Sequence, residues 1–252
     1  MRSHYSRHLG FTLVELLVAA TLFTIVAGIT AQFLAGQSRA TTLQKGADEA
    51  TTAIRNALSL ITWDIQNAGY RVTRSNLNPA IKATNNGAND SFVTRFLDES
   101  LATASAQQIR YSLGGTPVSL RRIQYPDGTS QIPLEQPTVA SIVAMNLRFE
   151  TRPNQFVSPT TTFTGKTCGT NTPVMKNGEI VNCIVPWQIK DIPERLVRKV
   201  IVQLLARSES RISSYQDPVA TYQFADGSSY KTAPGFVYRF AEQVVLAPNL
   251  GR

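Results

Sequence analysis

The stretch GFTLVELLVA, residues 10–19, marks the change from a polar leader to an apolar segment that runs without a break to Gly36. This segment exceeds the roughly 20 residues that a helix needs to span a bilayer. Its one charged residue is Glu15. An ionised carboxylate in the bilayer core costs roughly 2.5–3.5 kcal/mol even on lenient insertion scales. We therefore expect Glu15 to have a positively charged partner.

The residues from Gly10 to Glu15 resemble the processing site of type IV pilins and type II secretion pseudopilins. In that family a membrane peptidase cleaves after the glycine and methylates the new amino terminus, which is Phe11 in this chain. The resemblance implies that Glu15 pairs with the Phe11 ammonium of its own chain or of a neighbouring subunit. An amine four residues before a carboxylate lies on the same helical face, and burial of either charge alone is prohibitive.

A secretory signal peptide and a plain signal anchor are the alternatives for this N-terminus. A signal peptide has an uninterrupted apolar stretch and an A-x-A-like cleavage site, whereas this stretch contains Glu15 and no A-x-A triplet follows it. A plain anchor fits the length but leaves Glu15 unexplained. The leader residues Arg2 and Arg7 place the N-terminus in the cytoplasm and the rest of the chain outside it.

The composition disfavours catalysis. Both histidines, His4 and His8, lie in the leader, so the processed chain would contain none. This removes histidine-based acid–base and nucleophilic catalysis and histidine metal sites. We expect no enzyme activity, no cofactor and no metal, and a membrane-anchored extracytoplasmic enzyme is the least favoured alternative. The formal net charge of +8 is basic, and the leader contributes two of these charges.

The two cysteines, Cys168 and Cys183, enclose a threonine-rich segment. Export to an oxidising compartment favours a disulfide between them. In the loop-entropy model such a disulfide stabilises the chain by roughly 3 kcal/mol. A reactive thiol pair would favour the close C-x-x-C spacing, which is absent here. The sequence therefore predicts a structural disulfide.

One very long helix is predicted from Phe11 to Gly69. No proline precedes Pro79, and Gly69 is a typical helix stop. Beyond Gly36 an apolar stripe follows the spacing of an amphipathic helix. Its members are Leu43, Ala47, Ala50, Ile54, Ala57, Ile61, Ile65 and Ala68. The predicted divisions are a leader at 1–10, a transmembrane or filament-core helix at 11–36, an amphipathic continuation at 37–69 and a globular β-rich head at 70–252.

The head is predicted to be an antiparallel sheet packed on the long helix, an α+β arrangement, because strand patterns follow one another without helices between them. Asparagine and small polar residues predict a long surface loop at 70–106. Gly114-Gly115 predicts a hairpin turn. The predicted strands are 108–113, 118–125, 139–149, 180–185, 196–207 and 236–246.

Four further segments resemble PilW-type minor pilins, namely residues 64–70, 139–149, 200–208 and 238–250. The J-type minor pseudopilin of type II secretion has the same order of parts and is the alternative. The long loop at 152–177 departs from a compact J-type head and favours the minor pilin.

The resemblance implies a minor type IV pilin that acts in priming or assembly of the pilus, with the tip as one position for it in the filament. Its partners would be other minor pilins and the major pilin through the N-terminal helix, together with the prepilin peptidase and the inner-membrane assembly platform. The chain would cross the inner membrane once, with its head in the periplasm, and then enter an extracellular filament.

A DNA-uptake pilin is a further alternative, with Tyr111, Tyr125 and Trp187 as stacking platforms beside basic residues. The basic groups are Arg71 and Arg74, Arg121 and Arg122, and Arg195, Arg198 and Lys199. Solvent-facing strand positions explain these groups equally, so nucleic-acid binding is not expected.

Other candidate site residues have simple structural explanations. Trp63, one position from the apolar stripe, is expected to be a packing residue. Calcium at Asp127-Gly128 or Asp226-Gly227 would need more than one carboxylate, and turns explain both pairs.

Overall fold

The computed structural model describes residues 12–72, 80–84, 86–99, 105–126, 137–151, 155–157, 174–176, 179–181, 197–213 and 215–250. The chain divides into two compact units, one ending at Lys45 and the other beginning at Gly46. Gly10, Phe11, Cys168 and Cys183 lie outside the described residues. The predicted disulfide and cleavage site therefore stay predictions.

The predicted long helix is present as α1, Leu13–Asn67. From Gly46 onward one face of α1 is buried, through Gly46, Ala50, Ile54, Ala57, Ile61, Asp64 and Ile65. This confirms the predicted stripe from Ala50 onward, since apolar side chains at spacings of three and four share one helical face. The helix stop is also confirmed, because Gly69 has a φ of 84°, which glycine adopts without the strain that a side chain would cause.

The other regular elements of the described chain are β-strands. They are β1 (Ile81–Thr84), β2 (Ser91–Asp98), β3 (Ser105–Gly114), β4 (Ser119–Pro126), β5 (Pro137–Ala140), β6 (Ile142–Thr151), β7 (Gln155–Val157), β8 (Val174–Lys176), β9 (Glu179–Val181), β10 (Val197–Arg207), β11 (Thr221–Gln223), β12 (Ser229–Lys231) and β13 (Tyr238–Leu246).

These strands form two larger sheets and two hairpins. The strands β1 to β5 form a five-stranded sheet in chain order, and a four-stranded sheet has the order β13-β10-β6-β7. The pairs β8–β9 and β11–β12 are two-stranded. Each of these strand pairings is antiparallel. The predicted α+β class and the hairpin at Gly114-Gly115 are confirmed.

The prediction of one strand at 139–149 is wrong, because Ser141 divides it into β5 and β6. Ser141 has a φ of 69°, a left-handed conformation that interrupts an extended strand. β5 pairs with β4 in the five-stranded sheet, whereas β6 pairs with β10 in the four-stranded sheet. A single residue therefore transfers the chain from one sheet to the other.

The prediction of a surface loop at 70–106 is also wrong, because this segment contains β1 and β2. The Gly69 N–H donates to the Arg95 carbonyl at 2.7 Å, and the Leu97 N–H donates to the Tyr70 carbonyl at 2.9 Å. The chain leaving α1 is thus held against β2 from its first residues. Phe92 and Phe96 of this segment are buried.

One hydrophobic core joins the helix to both large sheets. It includes Ile61 from α1, Ile109 from the five-stranded sheet and Leu204 from the four-stranded sheet. A smaller cluster, in which Leu205 packs with Phe224, covers the opposite face of β10. Adjacent residues of β10 thus serve two cores, because successive strand side chains point to opposite faces.

Candidate functional site

The first turn of α1 is closed by hydrogen bonds between Thr12 and Glu15. The Thr12 backbone N–H and hydroxyl donate to Glu15 Oε2 at 3.0 and 3.1 Å, and the Glu15 N–H donates to Thr12 Oγ1 at 3.2 Å. These contacts form a capping box, with Thr12 as N-cap and Glu15 as the third helical residue. They satisfy amide groups that have no partner within the helix.

The capping box gives Glu15 a role that was not predicted from the sequence. The pattern T-x-x-E before an apolar run was a visible signal for it. Both bonds from Thr12 go to Oε2, and a carboxylate offers about four acceptor positions. The same side chain can therefore cap the helix and accept a further cationic donor. Its pairing with the Phe11 ammonium remains a prediction.

The first part of α1 presents an apolar surface. Every residue from Thr12 to Thr42 is exposed, including Phe23, Ile29 and Phe33. α1 contains a stretch long and apolar enough to cross a membrane, and none of that stretch is buried within the protein. A continuous apolar surface of this kind is suited to lipid or to a helical partner.

Asp64, near the C-terminal end of α1, is an acid that is fully buried. Arg122 Nε donates to Asp64 Oδ2 at 2.8 Å, and Arg122 Nη2 donates to Oδ1 at 3.1 Å. The Tyr111 hydroxyl also donates to Oδ2. Tyr111 of β3 and Arg122 of β4 are directly paired in the sheet. These three residues, the Asp64 cluster, tie the helix to the five-stranded sheet.

The electrostatics of the Asp64 cluster follow from its burial. Burial raises the pKa of Tyr111, and the neighbouring Asp64 carboxylate raises it further. The hydrogen bond with Asp64 raises the pKa of Arg122 against the opposing effect of burial. The phenol therefore stays neutral and the guanidinium stays charged at physiological pH. Asp64 has two permanent donors, which compensate the lost hydration of a buried carboxylate.

The Asp64 cluster was not predicted from the sequence. Asp64 lies three residues after Ile61 and four before Ala68, so an acid stood on the apolar stripe. The argument applied to Glu15, that an acid on an apolar helical face needs a partner, applies equally to Asp64. Its partners could not be named, because they are set by the register of β3 and β4.

Two of the three candidate stacking platforms for nucleic acid are buried. Tyr111 is 0 % exposed and Tyr125 is 4 % exposed. The Tyr111 ring stacks on Phe92 with centroids 4.7 Å apart, and the Tyr125 hydroxyl donates to Gln108 Oε1 at 3.0 Å. Neither ring can receive a nucleic-acid base. Trp187 lies outside the described residues.

The basic groups are partly neutralised by carboxylates of the same chain. The ion pairs are Arg71 with Glu99, Arg122 with Asp64, and Lys199 with Glu150. Arg74 and Arg195 lie outside the described residues. These contacts weaken the case for a nucleic-acid surface at the predicted positions.

Trp63 packs less completely than expected. Its ring meets Phe96 edge-on with centroids 6.5 Å apart, yet the residue is 57 % exposed. Trp63 therefore lies at the margin of the core.

The Asp226-Gly227 pair forms a turn, as expected. Asp226 Oδ1 accepts hydrogen bonds from the Ser228 N–H at 2.8 Å and the Ser228 hydroxyl at 2.6 Å, and Gly227 has a φ of 88°. Asp127 lies outside the described residues. In the ranges that the structure describes, no group of three or more His, Cys, Asp or Glu side chains is placed to hold a metal ion.

Known proteins share sequence features with this chain, beginning with its N-terminal motif. Residues 5–31 match the prokaryotic N-terminal methylation motif. The pilin-like protein PilA3 of Thermus thermophilus is 26 % identical over 157 residues, which is 56 % of this chain and 66 % of that relative. The match thus spans slightly less than two thirds of the relative. Both matches support the resemblance to type IV pilins noted at residues 10–15.

A solved structure of a type IV-like pilin from Thermus thermophilus is also similar. It is 17 % identical, with a TM-score of 0.49, and the alignment covers 81 % of this chain and 97 % of that chain.

Proposed function

We propose that this protein is a minor type IV pilin, cleaved after Gly10, methylated at Phe11 and incorporated into a filament through the first part of α1. The observation that carries the proposal is Glu15, the one charged residue in the apolar segment from Phe11 to Gly36. The methylation-motif match over residues 5–31 supports the same conclusion.

In this proposal apolar helix packing drives subunit association, and Glu15 sets the register. Contact between apolar helical surfaces is non-directional, so it does not by itself fix how far one helix is displaced along another. A pair of opposite charges in an apolar environment does, because any other register leaves both charges unpaired at a cost of several kcal/mol. The capping box holds the Glu15 carboxylate at the helix start, where the new amine forms.

The proposal also assigns a location and partners. The chain crosses the inner membrane once, with its N-terminus in the cytoplasm and its head in the periplasm, until the helix enters the filament. Its partners are other minor pilins, the major pilin, the prepilin peptidase and the assembly platform, and its role is priming of assembly. We also propose that Cys168 and Cys183 form a disulfide in the periplasm.

Three variants separate the charge of Glu15 from its capping role. Glu15→Gln removes the charge but keeps a side chain that fits a capping box. Thr12→Val removes the capping hydroxyl and keeps the charge, and Glu15→Ala removes both. Charge pairing predicts that the two Glu15 variants remain in the membrane but are lost from sheared filaments, whereas Thr12→Val is incorporated. Immunoblots of filament and membrane fractions measure this.

Normal incorporation of Glu15→Gln would contradict the charge pairing. Loss of Thr12→Val together with normal Glu15→Gln would show that the cap alone matters.

Mass spectrometry of the membrane form tests processing. We expect a mature chain that begins with N-methyl-Phe11, and an intact Met1 would refute the proposal. Deletion of the gene should abolish surface pili. Normal pili with blocked protein secretion would instead indicate the J-type pseudopilin.

A further inference from the structure

The outer face of the five-stranded sheet contains a pocket of about 290 Å³. Lys82, Thr84, Ser91, Val93, Arg110 and Ser112 form its wall, and Phe92 also lines it. The wall residues lie at alternate positions on β1, β2 and β3, so they share one face of the sheet. Their neighbours Ile81, Ala83 and Tyr111 point the other way into the core.

Strand register places the two cations of the pocket on either side of one apolar residue. Lys82 pairs with Val93, and Val93 pairs with Arg110. Because neighbouring strands are about 4.8 Å apart, the backbones of Lys82 and Arg110 are about 10 Å apart. Both side chains are long enough to reach one ligand group between them.

The remaining wall residues add hydrogen-bond donors. Thr84, Ser91 and Ser112 each carry a hydroxyl, and none of the described residues that line the pocket is acidic. The pocket therefore combines fixed positive charge with neutral donors, the chemistry that binds oxyanions.

The pocket is not suited to a nucleic-acid base or to a large ligand. The rings of Phe92 and Tyr111 stack on each other and are buried, so neither presents a face to a nucleic-acid base. The volume lies at the lower end of small-molecule sites. A ligand about the size of one sugar unit fits it.

We propose that this pocket binds a phosphate or sulfate group, either as the inorganic anion or carried on a single sugar unit. Lys82 and Arg110 supply the charge, and the hydroxyls of Thr84 and Ser91 donate to the remaining oxygens. This proposal is independent of the role in pilus assembly.

Calorimetric titration of the full processed chain in neutral detergent tests the proposal. The probes are inorganic phosphate, inorganic sulfate, glucose 6-phosphate and unmodified glucose, in chloride buffer of constant ionic strength. We expect the three anionic probes to bind and glucose not to bind. Tighter binding of glucose 6-phosphate than of phosphate would identify a sugar-borne group, and equal binding would identify the inorganic anion. Binding of glucose, or no binding of any probe, would overturn the proposal.

Matched lysine variants distinguish specific binding in the pocket from general electrostatic attraction of anions to a basic protein. Lys82→Gln should weaken phosphate binding at least tenfold, because it removes a charge-assisted hydrogen bond. Lys231→Gln is the control, since Lys231 is also an exposed strand lysine, on β12 and outside the pocket. Equal weakening by both variants would overturn the proposal. Arg110→Gln gives a second measurement. If Arg110→Gln does not fold, the result for Lys82→Gln decides the outcome.

Discussion

The two halves of α1 each place one acid on an apolar helical face, and they satisfy it differently. Asp64 lies in the buried half and receives hydrogen bonds from Arg122 and Tyr111 of the same chain. Glu15 lies in the exposed half and is bonded by Thr12, in its own first turn. Arg122 neutralises the charge of Asp64, whereas the contacts of Thr12 with Glu15 leave that carboxylate's charge in place.

This difference separates folding from assembly. An acid on an apolar face is unfavourable unless a cation reaches it. For Asp64 the cation comes from folding, so its effect should appear in the stability of the head. For Glu15 we propose that the cation comes from a processed N-terminus, so its effect should appear in filament incorporation. Variants of the two acids should therefore change different measurements.

The largest expected effect follows from Arg122→Met. This change leaves the buried Asp64 carboxylate without its cation and should lower the free energy of unfolding by about 3–5 kcal/mol. Denaturant titration of the full chain measures it. The control is Arg55→Met, at an exposed position on α1, which should change stability by less than about 0.5 kcal/mol. A similar small effect for both variants would contradict the assigned importance of the Asp64 cluster.

Tyr111→Phe should have the next largest effect. It keeps the ring that stacks on Phe92 but removes the donor to Asp64, and a hydrogen bond to a charged group contributes about 1.5–3 kcal/mol. Tyr125→Phe is the matched control, because its hydroxyl donates to the neutral side chain of Gln108. We expect that control to lose about 0.5–1.5 kcal/mol. Equal losses would mean that the charge of Asp64 adds nothing.

Asp90 provides a pH-dependent test, because this carboxylate is buried among backbone donors. Burial raises the pKa of Asp90 to about 7, against the opposing effect of hydrogen bonds from the Leu147 and Asn86 N–H groups. The native chain then keeps a proton that the unfolded chain releases near pH 4. Stability should therefore fall as pH rises from about 4 to 7, by about 1 kcal/mol between pH 5 and 6.

The comparison variant is Asp90→Asn, which cannot titrate. The stability of the wild type relative to this variant should decrease across the same pH range, as measured by thermal unfolding. A constant difference between the two proteins would show that Asp90 is ionised throughout.

The smallest expected effect on stability is that of Glu15→Gln. Gln can occupy the same capping position, and the residue is exposed. The unfolding free energy of the head should change by less than about 0.5 kcal/mol, while filament incorporation should be lost. A large loss of head stability would contradict the separation of folding from assembly.

Some elements of the fold were predictable because their signals are local. The spacing of apolar residues along α1 and the glycine at 69 predict the helix and its end. Gly114-Gly115 likewise predicts the β3–β4 hairpin. By contrast, the strands at 81–84 and 91–98 were missed, because polar connections between short strands resemble one long loop in composition.

The candidate sites also divide into those with a local sequence signal and those that depend on distant residues. Glu15 was identified because a lone acid in an apolar segment is visible in the sequence. Asp64 was equally visible, but its partners Tyr111 and Arg122 lie far from it along the chain. The pocket at Lys82 and Arg110 was missed for the same reason, since these residues share a face only through the pairing of three strands.

The sequence by itself determined the long helix, the apolar segment and the need for a positive partner at Glu15, because each depends on residues within a few helical turns. Only the tertiary structure decided that Ser141 divides one apolar run between two sheets, that Arg122 reaches Asp64, and that two cations border one pocket. These outcomes depend on strand register and on contacts between distant segments. No local sequence pattern encodes which distant residue will contact a given side chain.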